Sequence, residues 1–425
     1  MKDKMTKLAF LTIALGFWQM ATPLTFFHLF CSECGFFVTS DFLSGCVLVL
    51  LGIFLVRSFH PVCSGWLVGV VGVWLQFSPL ILWAHSSLAY INDTMVGAIA
   101  IVFAFQFAKS DNVKALSYDC PKGWSYNPSA WKHRIPTIGL AMLCWFFARY
   151  MASYQLGYIS EILDPFFADG TLRVVTSNVS RAFPISDAGL GALFYSLEAL
   201  LGWQGDERRW QTMPWVVFAY AFLVVPGGII SIIMIILQPV VAGAWCTWYL
   251  ATALCMLLMI VLTAGELVAS WQFVKESCQR GVSFSHVFWK GGNEVSDGRG
   301  RQPVKKRDAW GISIPWNLAV SAFAGLLLMI LPSLLKLYDR LAVCDYVEGP
   351  IVLAIAVLSM AEVFRALRFC LAPLGAWLII APFVLTSPGP LTVLCHIIIG
   401  LFLVAQIWVK TVVKERYGAC DSLIF

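Results

Sequence analysis

The chain has 425 residues, 59% of them hydrophobic and only 12% charged. A soluble protein carries roughly 25% charged residues, so a water-soluble globular domain is excluded. The net charge of +5 is small, is spread over loops between apolar runs, and calls for no nucleic-acid partner.

Apolar runs near the length that crosses a bilayer recur from end to end. They predict an all-α, polytopic membrane protein of about 12 transmembrane helices, at roughly 8–28, 41–56, 64–83, 92–108, 134–158, 187–203, 214–237, 240–264, 314–336, 349–364, 367–385 and 391–409. The first run follows Lys2, Lys4 and Lys7, but no small-residue cleavage site succeeds it, so it reads as a retained helix. Placing the N-terminus in the cytoplasm leaves only Arg173, Arg181, Lys336 and Arg340 outside and Arg149 within a span; the other basic residues then face inward, as the positive-inside rule asks. The expected location is a bacterial inner membrane, with both termini cytoplasmic. The basic run from Arg299 to Arg307 reads as a solvated linker near anionic headgroups.

Two short patterns repeat at the ends of the chain. Gly16-Phe17-Trp18 leads to Pro23, Gly72-Val73-Trp74 to Pro79, and Gly375-Ala376-Trp377 to Pro382; a fourth copy, from Gly325 to Pro332, lacks the tryptophan. Each is followed across a short loop by an acidic residue four before a glycine: Asp41/Gly45, Asp93/Gly97 and Asp345/Gly349, with His396/Gly400 in the last copy. Glycine lets helices approach closely in a membrane, and the tryptophan either packs or anchors near the interface. Each unit is thus a two-helix hairpin. These units resemble the SPW repeat, although Leu80 and Phe383 stand where its tryptophan would be. That resemblance implies membrane embedding and little chemistry.

Residues 134–280 lack the repeat. The domain reading is therefore two hairpins over 1–110, a cytoplasmic linker 111–133, a four-helix bundle 134–280, a charged linker 281–312, and two further hairpins over 313–425. Three segments of the bundle stand out: the outer loop 159–186, the glycine-rich helix opening at Asp187-Ala188-Gly189-Leu190-Gly191, and Gly243-Ala244-Trp245-Cys246 after one intervening span. In order and spacing they resemble the vitamin K epoxide reductase family. The resemblance implies a thiol–quinone oxidoreductase: a loop cysteine pair passes electrons to a C-x-x-C at the mouth of the last helix, beside a membrane quinone, with a thioredoxin-like protein as thiol partner. Cys246 is the catalytic candidate, expected about two turns into its helix. Asp187, Trp245, Trp248 and Tyr249 are the quinone-binding candidates; for Asp187, helix capping competes with the quinone role.

Two departures oppose that chemistry. Tyr249 stands where the second motif cysteine belongs, and no cysteine lies between Cys144 and Cys246, so the loop pair is absent. Dithiol chemistry needs a second, resolving thiolate. Thr176, Ser177 and Ser180 stand near the missing thiols. The one intact C-x-x-C, Cys31 to Cys34, reads as a displaced shuttle, a structural disulfide or two thiols kept free; a disulfide is the expectation. Arg149 and Glu198 fall at similar depth within spans and are expected to form an intramembrane ion pair. No histidine pair has metal-ligand spacing, and no metal is expected. The segment 265–289, with Glu266, is expected to lie along the inner surface as an amphipathic helix. Two functions stay open: a quinone-binding thiol oxidoreductase scaffold with an incomplete redox centre, or a non-catalytic membrane protein binding quinone, lipid or a partner.

Overall fold

The computed structural model describes residues 2–25, 35–57, 59–84, 86–108, 120–182, 184–292, 309–386, 389–409 and 411–421. Cys31, Cys34 and the basic run 299–307 lie outside these residues. The described chain is helical, with two isolated bridges and no strand. Its helices are α1 (Lys2–Thr25), α2 (Gly35–Val56), α3 (Pro61–Ile81), α4 (Ser87–Ala108), α5 (Trp131–Gln155), α6 (Gly170–Val175), α7 (Asp187–Trp203), α8 (Arg209–Thr212), α9 (Pro214–Leu237), α10 (Thr247–Gln279), α11 (Phe284–Lys290), α12 (Trp316–Leu335), α13 (Arg340–Leu358), α14 (Leu371–Leu385) and α15 (Pro390–Val404).

Ten helices among the described residues are long and apolar enough to cross a membrane; the protein is a polytopic, all-α membrane protein. The expectation was about 12; α7 is too short to count among the ten, and α1, of 24 residues, borders residues outside the description. The 17 residues of α7 rise only about 25 Å at 1.5 Å each, less than the ~30 Å hydrocarbon core. Large apolar side chains such as Phe222, Ile330 and Phe383 remain exposed, because lipid, unlike water, does not penalise them.

The chain divides into two compact units that interleave in sequence: residues 1–112, 144–163 and 175–200 form the first, and 113–143, 164–174 and 201–425 the second. In the first, α1–α4 pack around Leu48, Leu51, Val68, Leu75 and Ala100. A second cluster ties Phe37, Leu80 and Tyr90 to Leu156 and Tyr158, beyond α5. In the second unit, α12–α15 enclose Leu318, Leu328, Val352, Leu378 and Leu403. Leu257, Val261 and Ala264 of α10 pack there against Ala354 and Val357 of α13.

The hairpin repeats acquire a physical meaning here. A Cβ on Gly16 would sit 2.8 Å from the carbonyl of Gly45, and one on Gly72 would sit 2.7 Å from that of Gly97; Gly325 with Gly349 and Gly375 with Gly400 repeat the pattern at 2.8 and 2.6 Å. Backbone therefore touches backbone inside every hairpin. The repeat tryptophans reach from one hairpin to its neighbour. Trp18 Nε1 donates to Asn92 Oδ1, Trp74 Nε1 to Ser40 Oγ and Trp377 Nε1 to Cys344 Sγ, at 2.9, 2.9 and 3.2 Å. In each case the acceptor is the residue just before the repeat's acidic position. The tryptophan is thus a cross-hairpin latch, a role that packing or interfacial anchoring did not anticipate.

The segment 265–289, expected as an amphipathic surface helix, is divided between the end of α10 and α11. Helix α10 runs unbroken for 33 residues and buries Glu266. The burial is matched by a cation: Arg209 meets the Glu266 carboxylate with both Nε and Nη2, each at 2.6 Å, and the two side chains are 1% and 2% exposed. Ser129 Oγ donates to the same carboxylate. Beside it, the Arg134 guanidinium donates to the carbonyls of Gly202, Trp203, Gln204, Gly205 and Asp206. Near the chain's end, Glu362 accepts from the amides of Lys414 and Glu415 and from the Tyr417 hydroxyl, fastening 411–421 in place.

Candidate functional site around Cys246

At the C-terminal end of α9 the helix widens into a π turn, Gln238–Ala242, and stops at Gly243, whose φ of 60° is left-handed and suits glycine. Four residues later α10 begins. Cys246 is its N-cap, with extended backbone, not a residue two turns inside the helix. The expected depth is corrected for that reason: the glycine and the π turn consume the residues that a continuous span would have used.

Cys246 is fully buried. Its amide donates to Gln238 Oε1 at 2.8 Å, and its Sγ lies 3.2 Å from Thr171 Oγ1. Thr171 belongs to the loop carrying α6, which can lie on the mouth of α10 only because residue 170 is glycine: a Cβ there would sit 2.0 Å from the Trp245 carbonyl oxygen.

Asp164 organises the site. Its Oδ1 accepts the amides of Phe166 and Phe167 at 3.0 and 2.9 Å, the Asx turn natural to Asp-Pro. Its Oδ2 accepts the Thr171 amide at 3.1 Å and the Thr171 hydroxyl at 2.6 Å. Thr247 adds its amide, at 3.1 Å, and its hydroxyl. Asp164 thereby caps α10 from outside, where the helix dipole favours an anion and where Cys246 offers no side-chain cap. Burial alone would raise the Asp164 pKa. The bonds from Thr171, Thr247, Phe166 and Phe167 outweigh it and hold the carboxyl well below the usual carboxylate range.

Donor counting then assigns the thiol. A threonine hydroxyl has one proton, and that of Thr171 goes to the charged Asp164, the stronger acceptor. Cys246 must therefore donate its S–H to Thr171 Oγ1. Burial first, and the Asp164 charge second, push the thiol up; contacts from Thr171 and the amides of Tyr249 and Trp248 pull the other way without prevailing. The reactive species is the thiolate, and this setting opposes it. Cys246 makes no disulfide.

The quinone-binding candidates divide. Trp245, Trp248 and Tyr249 share the mouth of α10 with Cys246 and are partly buried; the Trp245 ring meets Tyr346 edge-on at 5.9 Å. Asp187 belongs to the other unit, where its carboxylate is already engaged: Oδ1 accepts Gln155 Nε2 at 2.6 Å and the Ala188 amide at 2.8 Å, and Oδ2 accepts Ser180 Oγ at 2.9 Å. The capping hydroxyl of α7 is that of Ser186, bonded to the Gly189 amide. In the same unit a cavity of about 600 Å³ is lined by Trp83, Tyr154, Gln155, Ser180, Arg181 and Ser186, among others.

The expected Arg149–Glu198 ion pair is not formed. Arg149 Nη1 donates to Thr94 Oγ1 at 3.0 Å, and the guanidinium lies 4.2 Å over the Tyr90 ring and 5.2 Å from that of Trp145. Both Glu198 carboxyl oxygens are buried without a hydrogen-bond partner. Similar depth did not make them neighbours, because the aromatic face of α4 captures the arginine. Among the described residues no cluster of histidine, cysteine and carboxylate side chains is arranged to hold a metal ion. The sequence reading missed Asp164, Thr171, Gln238, Arg134 and Arg209; only Asp164 left a signal, its Asp-Pro turn.

Residues 135–264 match the model of the Vitamin K epoxide reductase family. Residues 315–409 match that of the SPW repeat domain. The central segment of this membrane protein is thus vitamin K epoxide reductase-like, and an SPW repeat domain follows it. The α1–α4 hairpins show the same glycine contacts and tryptophan latches as the SPW-matched α12–α15. No curated protein and no solved structure matches the chain.

Proposed function

We propose that this vitamin K epoxide reductase-like protein is a quinone-binding membrane scaffold in which dithiol catalysis has been lost. The observation that carries this reading is the state of Cys246: buried, donating its proton into the Thr171–Asp164 chain, and followed at the third position by Tyr249. A mixed disulfide formed there would have no resolving thiol beside it. The sealed sulfur favours the non-catalytic reading over an incomplete but working redox centre.

Retention of a quinone is supported by the cavity between Trp83 and Tyr154. Its volume of about 600 Å³ lies within the range of small-molecule sites. Trp83 supplies an aromatic face for the ring. Asp187 serves this site indirectly, by holding Gln155 and Ser180. The functional division into hairpins 1–110, core 134–280 and hairpins 313–425, the cytoplasmic placement of both termini and a bacterial inner-membrane location belong to the same reading. They are supported by the repeat and by the uneven distribution of basic residues between alternate loops.

The test uses the purified full chain with a water-soluble ubiquinone analogue. The expected result is saturable quenching of tryptophan fluorescence, weakened by Trp83→Ala, and no quinone reduction when a dithiol reductant is added. A dithiol-dependent rate that disappears in Cys246→Ala would overturn the loss of catalysis. Absence of saturable binding would overturn the quinone assignment.

A further inference from the structure

The hairpin repeat places one titratable residue on the second helix of each hairpin, and the structure brings these residues together in pairs. In α1–α4, Asp41 of α2 and Asp93 of α4 are neighbouring groups, and both are fully buried. Asp93 is supplied with donors: Gln19 Nε2 at 2.8 Å and Asn92 Nδ2 at 3.4 Å to Oδ1, and Ser78 Oγ at 3.2 Å to Oδ2. Neither oxygen of Asp41 has a donor. Gln19 and Asn92 come from α1 and α4, Ser78 from α3, and among the described residues no cation acts on the pair. Two carboxylate ions in contact inside apolar packing are strongly disfavoured. One proton between them removes the conflict: Asp41 as the acid, donating to the Asp93 carboxylate.

The second module reaches the same end with different chemistry. Asp345 of α13 and His396 of α15 occupy the equivalent repeat positions, and their Oδ1 and Nε2 are 2.8 Å apart, both side chains fully buried. His396 Nδ1 is 2.8 Å from the Thr392 carbonyl. A carbonyl only accepts, so Nδ1 carries a hydrogen. Any hydrogen between Nε2 and Oδ1 is then an additional one, whichever atom holds it. Glu348, on α13, and Asp339, at its N-terminus, are the other charged groups near this pair. Asp345 Oδ2 and Glu348 Oε2 have no donor.

We propose that each pair of hairpins is built around a buried proton-binding site, Asp41–Asp93 in the first and Asp345–His396 in the second, formed where the repeat's titratable residue in one hairpin meets its counterpart in the next. The ligand is one proton per site, shared across the hairpin interface. The tryptophan latches lie one residue from each site and hold the two hairpins at the separation the shared proton requires.

The test is isotope-edited infrared spectroscopy of the full chain in liposomes at neutral pH, with and without ¹³C-carboxyl aspartate. Most aspartates are ionised at that pH. A label-sensitive band of protonated aspartic acid is expected in the native protein, and its loss in Asp41→Asn. Only carboxylate bands for aspartate would overturn the first site, without recourse to any variant. For the second, ¹⁵N-histidine magnetic resonance should show His396 with a hydrogen on Nδ1. A bare Nδ1 with hydrogen on Nε2 alone would overturn it.

Discussion

Asp164 carries more of the local order than the cysteine beside it. Six donors converge on one carboxylate, and the charge is favoured there by their number and by the start of α10. Asp164→Asn should remove the charge-assisted share of these bonds, about 1.5–3 kcal/mol, and loosen the loop over Cys246. Maleimide labelling of Cys246 in the folded protein should then accelerate by roughly tenfold or more, while the native chain labels at this residue only on unfolding. Fast labelling of native Cys246 would refute the sealed thiol. The pH dependence follows from the same carboxyl. Its folded pKa lies below the unfolded value, so its stabilisation is complete above about pH 4 and is lost as pH falls through the folded pKa. The thermal midpoint of the detergent-purified protein should fall in that acid limb and lose this component in Asp164→Asn.

At the scale of the element, the hairpins are specified by glycine and tryptophan together. Glycine removes the side chain that would separate two backbones, and van der Waals contact replaces the hydrophobic drive that lipid does not supply. Gly97→Ala and Gly349→Ala place a methyl 2.6 and 2.8 Å from a facing carbonyl oxygen. Each should cost about 1–3 kcal/mol of overpacking, against the propensity gain of roughly 1 kcal/mol that alanine brings to a helix. Gly139→Ala, with nothing within 4 Å, should keep that gain. Thermal shifts of the three variants in one detergent would test the ordering; a neutral Gly97→Ala would mean the helices can part cheaply.

For the whole molecule, the Arg209–Glu266 pair ties α8 to the middle of the longest helix, and Ser129 brings in the segment ahead of α5. Removing one partner leaves a buried charge unanswered, at about 3–5 kcal/mol. Arg209→Ala and Glu266→Ala should each sharply lower the yield of folded protein in membranes. Arg209→Met with Glu266→Leu should recover much of it, because that double change removes both desolvation costs. Equal loss in all three would mean that the arginine's bonds to the carbonyls of Leu201, Gly202 and Gln204 matter more than the pair.

The sequence by itself determined that the chain is a helical membrane protein, where most spans lie, and which family the central segment resembles. Apolar run length and motif spacing are local properties, and a bilayer leaves helices few alternatives. It also showed a tyrosine at residue 249, three positions after Cys246, which needs no coordinates to be seen. Only the tertiary structure decided who meets whom. Arg149 and Glu198 share a depth, yet the arginine turns to Tyr90 and Thr94. The repeat marked Asp41, Asp93, Asp345 and His396 as equivalents without revealing that they face one another. Cys246 could be named from its motif, but its hydrogen-bonded setting depends on Thr171 and Asp164, residues far away along the chain. Hydrogen-bond partnership is set by which helix faces converge, and one-dimensional periodicity carries no information about that convergence.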